Sequence, residues 1–78
     1  MKFTKYFQET RLRPDRAMIK DEWIARVNRM PLKEVVQSDG RIRRWGRIVE
    51  AENRVLRVVL LKDGETVHNA FFDRGFKS

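Results

Sequence analysis

Asp-Gly occurs twice in this chain, at Asp39-Gly40 and Asp63-Gly64, and each pair stands between runs in which apolar and polar residues alternate. Asp-Gly is a favoured centre of a tight hairpin turn, and alternation of period two marks a strand with one face buried. Residues 32–37, 41–49, 54–61 and 66–72 therefore read as strands of an antiparallel meander. Residues 54–61 are the most β-prone and apolar run, which makes them the central strand. The polar Glu50-Ala51-Glu52-Asn53 links the second and third of these strands.

Before the first strand the period changes. Ile19, Trp23, Val27 and Met30, with Ile24 beside them, form an apolar stripe at helical spacing. Asp21 and Glu22 fall in the first turn and Arg26 and Arg29 in the last, which complements the helix dipole, and Pro31 stops the helix. The spacing predicts a helix over about 21–30, with Trp23 in the core. Pro14 disfavours helical geometry in its predecessor and opens a short helical turn over 15–19. Residues 1–9, with Phe3, Tyr6 and Phe7, read as a short strand or an arm packed on the core. The expected fold is α+β, one domain over residues 1–78, with an N-terminal helical layer packed on a three- to four-stranded antiparallel β-meander.

One helical layer covers one sheet face. The central strand, however, is apolar on both: Leu56, Val58 and Leu60 alternate with Val55, Arg57, Val59 and Leu61. Its second face needs a cover, either the arm carrying Phe3 and Phe7 or another chain, so a homodimer or a hetero-complex is a live expectation.

Composition removes several chemistries. With no cysteine there is no disulfide, thiolate metal site or thiol nucleophile, and one histidine excludes a multi-histidine centre. No metal and no cofactor is expected. No apolar run approaches the roughly 20 residues of a membrane span, and the N-terminus lacks the apolar stretch of a signal peptide. A soluble, cytoplasmic protein with no membrane partner is the expectation.

The formal charge of +7 lies entirely before Glu50, where 13 Lys/Arg face 6 Asp/Glu; five of each sign follow. Twelve of the 18 basic residues are arginine, which suits bidentate contact with phosphate or carboxylate. The implied partner is RNA or another polyanion, or a small acidic protein. The densest cationic run is Arg41 to Arg47. Alternation puts Arg41, Arg43, Trp45 and Arg47 on one face of the strand and Ile42, Arg44, Gly46 and Ile48 on the other. Arg41, Arg43, Arg44 and Arg47 are the candidate phosphate contacts and Trp45 the candidate base-stacking residue; its competing reading is an indole packed under the helix. His68, placed by alternation on the same face as Thr66, Ala70 and Phe72, is the candidate general acid or base, against a structural role. Any catalysis would be metal-independent RNA cleavage.

The order of pieces resembles the small prokaryotic domains of the DUF4258 type. Arg11 and Arg16 precede Ile19, Asn28-Arg29-Met30-Pro31 closes the helix, residues 54–61 form the apolar strand, Asp63-Gly64 the turn and residues 66–72 the last strand. The layout also looks like the compact RelE and BrnT toxins of bacterial toxin–antitoxin pairs. That resemblance implies a helical layer on an antiparallel sheet, and mRNA cleavage restrained by a small antitoxin. Glu9-Thr10 stands where such domains often carry a histidine, and only residues 73–78 follow the last strand, where RelE-like toxins often carry catalytic groups. Both departures favour binding over cleavage. The expected function is that of a small basic, RNA-interacting, toxin-like protein of a two-gene module. The alternative is a non-enzymatic interaction module that binds an acidic partner or itself.

Overall fold

A computed structural model describes residues 1–77. In chain order the elements are β1 (Lys2–Phe3), α1 (Lys5–Thr10), α2 (Pro14–Ala17), α3 (Asp21–Arg29), β2 (Lys33–Val36), β3 (Ile42–Ile48), a single 3-10 turn (Val49–Ala51), β4 (Arg54–Leu60) and β5 (Thr66–Phe72). The chain is an α+β domain, and β2 to β5 form the antiparallel meander that the two Asp-Gly turns predict.

The sheet is larger and less uniform than the sequence suggests. It has five strands in the order β1-β5-β4-β3-β2, and β1 runs parallel to β5, with Lys2 opposite Thr66 and Phe3 opposite Val67. The helices therefore carry the chain from one edge of the sheet to the other, which is why an N-terminal strand can lie parallel to the last one. α1 is a second departure. Thr4 caps it, its hydroxyl accepting from Phe7 N–H at 3.1 Å, and the helix buries Phe7 and Thr10.

The core lies between the helices and one sheet face. Phe7, Ile19, Trp23, Ile24 and Val27 pack on Ile48, Leu56, Val58, Leu60, Val67 and Ala70, with Phe3, Ile42 and Phe72 at its margin. Phe3 and Phe7 thus belong to the helix side and do not cover the second face. The cover comes from the other end of the chain, where Phe76 packs over Trp45 at 5.9 Å between ring centroids. β5 carries a bulge opposite Val59 and Leu60. The extra residue places Val67 with Ala70 and Phe72 on the core face, so His68 does not share their face as strict alternation would have it.

α3 sits close on β3 because Gly46 has no side chain. A Cβ there would stand 2.8 Å from Val27 Cγ2, too close for two carbons. A bidentate ion pair pins the same helix, Arg26 Nη1 and Nη2 donating to Glu50 Oε1 and Oε2 at 2.8 and 2.7 Å. That contact holds the Glu50 carboxyl down at about 2, while hydrogen bonds from Thr66 and Glu65 hold Asp63, in the β4–β5 turn, down at about 2 as well.

Gly46→Ala should destabilise the domain by about 1–3 kcal/mol through overpacking. Adding Val27→Ala should return part of that loss, so the double variant should be more stable than the two single losses added together. Denaturant unfolding of the four proteins measures the coupling; strict additivity would show that α3 does not rest on Gly46. Acid should act through Glu50 and Asp63. Because both are depressed in the folded state, their stabilisation is complete above the ordinary carboxylate range and fades as pH falls toward about 2. Carbon-detected titration should give these two the lowest midpoints, and midpoints near 4 would refute the contacts.

Candidate nucleic-acid interface

The register of the meander assembles a row of side chains on the face away from the helices. Lys33 on β2 lies opposite Trp45 on β3, Trp45 opposite Arg57 on β4, and Arg57 opposite Phe71 on β5. Cations and rings alternate across four strands. The Lys33 ammonium and the Arg57 guanidinium stand 5.8 and 5.5 Å from the Trp45 ring centroid, and Arg57 is 5.2 Å from that of Phe71. Arg16, reaching over from α2, completes the row at 5.1 Å from Phe71 while its Nη1 donates to Asn69 Oδ1 at 2.7 Å. A cation–ring contact contributes roughly 0.5–1 kcal/mol at an exposed position such as Lys33 and up to about 2 kcal/mol where the cation is desolvated.

Arg43 and Arg47 flank the row. With the Gln37 amide turned so that its oxygen faces Arg43, that oxygen accepts from Nε at 3.0 Å and from Nη2. Arg47 Nη1 donates to the carbonyl of Asn53 at 2.8 Å. These acceptors are neutral, so they orient the guanidinium groups without cancelling their charge. The carboxylate set among them is Asp73, whose Oδ2 accepts from Trp45 Nε1 at 2.9 Å and lies 3.9 Å from Arg57 Nη1. Burial first, and then the Arg43 charge, hold Arg57 below its ordinary value against the opposing pull of Asp73. Its Nε is buried without a partner. The local field is positive.

The structure separates the residues that the sequence groups together. Arg43 and Arg47 share the open face. Arg41 is exposed beside the turn, 3.7 Å from Asp39. Arg44 is on the helix side, where Nε pairs with Glu34 at 3.0 Å and Nη1 reaches the carbonyl of Asn28, so it stands apart from the open face with a carboxylate already beside it. Trp45 is on the expected face and not under a helix, but it is only 7% exposed beneath Phe76. Its indole anchors the face and offers no free surface for a base. His68 Nδ1 is 3.1 Å from Thr4 Oγ1 and its ring stacks on Tyr6 at 4.9 Å. Among the described residues, no cation of the row bonds to it, which leaves a histidine engaged by the N-terminal segment.

Lys33, Arg57, Phe71 and Arg16 belong to the site although the Arg41–Arg47 run does not contain them. The signal that would have found them is cross-strand register, and the turns conceal it. Gln37 and Arg41 close the first hairpin, with Gly40 at φ 90° donating to Gln37 O, so the loop is three residues and not two. A two-residue turn centred on Asp39-Gly40 would shift every pair by one position and turn Lys33 to the other face.

Among the described residues no group of three or more His, Cys, Asp or Glu side chains could hold a metal ion, and no helix is long and apolar enough to cross a membrane. Comparison with protein-family models, curated proteins and solved structures returns no match.

Burial, and then the Arg41 charge, lower the His68 pKa below 6.5. A ring-proton titration should give a midpoint under that value, rising in Arg41→Ala. The folded state resists protonation, so the stability carried by the neutral imidazole is complete above about 6.5 and declines as pH falls through that region. A midpoint at or above 6.5 would place His68 outside this environment.

Proposed function

We propose that this protein binds single-stranded RNA along the sheet face opposite its helices, as a small, basic, toxin-like member of a two-gene module. One observation carries the reading: five cations, Lys33, Arg57, Arg16, Arg43 and Arg47, are held chiefly by aromatic rings and neutral oxygens, and the two carboxylates beside them, Asp73 at 3.9 Å from Arg57 and Asp15 at 3.6 Å from Arg16, leave a net positive charge for phosphate. Fixed cations in a plane suit a polyanion backbone, and Arg offers paired donors to each phosphate. With Trp45 sealed, contact falls on phosphate and sugar, and the reading predicts little sequence preference. His68 is held apart from these cations, so the reading is of a binding protein and assigns no cleavage to it.

The alternative, an interaction module, draws on the opposite edge of the sheet. The ladder turns the N–H and C=O groups of Lys33 and Val35 toward β3 and leaves those of Glu34 and Val36 pointing outward. Val36 and Leu32 beside them are 63% and 59% exposed. Such an edge can accept a strand from another chain.

Salt separates the two. Affinity for a single-stranded RNA should fall linearly in log–log form as salt rises, by about 0.7 per phosphate contact, whereas an apolar edge contact should be nearly indifferent. Arg43→Ala with Arg47→Ala should weaken binding and make the slope shallower by about 1.4, with the melting temperature little changed. Wild-type affinity and slope in the double variant would refute the sheet-face assignment.

A further inference from the structure

We infer that a cationic cavity at the Arg16–Phe71 end of the row binds a phosphomonoester. A cavity of about 400 Å3 opens between α2, the start of β4 and the end of β5, lined chiefly by Asp15, Arg16, Arg54, Phe71, Phe72 and Arg74. That volume lies within the range of about 300–1,000 Å3 typical of small-ligand sites.

Two of the three guanidinium groups are pre-positioned. Arg54 lies over Phe72 with its Cζ 4.1 Å from the ring centroid, and its Nε donates to the carbonyl of Ala51 at 2.9 Å. Its Nη2 faces the Met18 sulfur at 3.8 Å, a weak acceptor that a phosphate oxygen would outcompete. Arg16 is fixed by Asn69 and by the Phe71 ring, as in the row, and Arg74 is exposed at the rim. The acceptors that orient Arg16 and Arg54 are neutral oxygens, and the carboxylate lining the cavity is Asp15, 3.6 Å from Arg16 Nε. Three positive charges against one negative leave two in excess. A phosphomonoester dianion balances them, whereas a phosphodiester would leave one over. Both rings of the wall are already covered by guanidinium groups, so no aromatic face is open to a base. The site therefore reads phosphate and ignores base identity.

Two sources carry this group: the phosphorylated end of an RNA strand, which rests on the sheet-face reading above, and a free mononucleotide, which does not. Adenosine and uridine 5′-monophosphate titrated into the full chain should move the Nε–Hε signals of Arg16 and Arg54 equally. An RNA of one sequence should bind about tenfold tighter with a terminal phosphate than with a hydroxyl, the worth of one or two charge-assisted hydrogen bonds. Arg74→Ala, a change at an exposed position, should shrink that ratio to near one. Mononucleotide shifts without an end preference assign the site to free nucleotides; an end preference that Arg74→Ala removes assigns it to RNA ends. The absence of both responses overturns the site. The Arg43/Arg47 double variant keeps the two readings distinguishable, since it should lose backbone affinity while retaining the mononucleotide shifts.

Discussion

Arg57 places a permanent positive charge at the middle of the central strand, and the open face of the sheet is arranged around it. No carboxylate lies across the strand from it. Trp45 and Phe71 flank the guanidinium at 5.5 and 5.2 Å, and Asp73 approaches only to 3.9 Å from one nitrogen. A 78-residue chain with one helical layer cannot cover both faces of a five-stranded sheet with apolar side chains. Here the second face carries rings and arginines, and Val55 and Val59, opposite Arg47 and Arg43 on the neighbouring strand, are buried; long arginine stems can cover apolar surface while their heads stay near water. Positive charge on this face is thus partly a consequence of how so small a protein closes its sheet. The same groups that complete the packing make it a surface for polyanions.

The elements with strong local signals were legible in the sequence. α3 has a stripe, acidic and basic ends and a proline stop, and β2 to β5 lie close to where alternation and the two glycine turns place them. The short strand expected among residues 1–9 is present as β1, but its parallel partnership with β5 was hidden, because two residues carry no period that fixes a partner and the pairing comes from the route of the helices. α1 was hidden because its apolar residues, Tyr6 and Phe7, lie side by side rather than three or four apart, and Thr4 gave only a weak capping signal. Register was the main loss. One extra residue in the Gln37–Arg41 hairpin, together with the bulge at His68-Asn69, decides which residues share a face, and neither leaves a mark in composition. Arg44 and Trp45 illustrate the cost. The cluster in sequence was real, yet an acidic neighbour across a strand paired with one member and Phe76, thirty-one positions away, sealed the other.

The arginines fall into two groups once their partners are compared. Arg11, Arg26 and Arg44 each have a carboxylate within bonding distance: Asp21, Glu50 and Glu34. They fasten helices and the edge strand β2 to the rest of the fold, and each guanidinium is matched by a carboxylate. Arg43, Arg47 and Arg54 are held by amide or backbone oxygens, and Arg16 by Asn69 with Asp15 more distant. A carbonyl fixes direction without removing charge, so this second group is positioned at a net positive potential. Among these seven the division follows geography: the paired arginines lie on or near the helix side, the others around the open face and the β3–β4 end of the sheet, while Arg57 and Arg41 have the more distant carboxylates Asp73 and Asp39 at 3.9 and 3.7 Å.

Asp73 stands between the open face and the cavity, and its contacts shape the chain that borders both. One oxygen accepts from the Trp45 indole and the other from Gly75 N–H, so the residue binds the open face and turns the chain beyond β5 in a single step. That turn lays Phe76 over the indole and leaves Arg74 at the rim of the cavity. Asp73 gives the sheet face a carboxylate at its aromatic centre, beside Trp45 and Arg57. Removing it would add charge to the face but free the tail, unseat Phe76 and withdraw Arg74 from the cavity. The carboxylate is therefore not a defect in a cationic surface: it holds the last segment in the shape from which both cationic regions take their form.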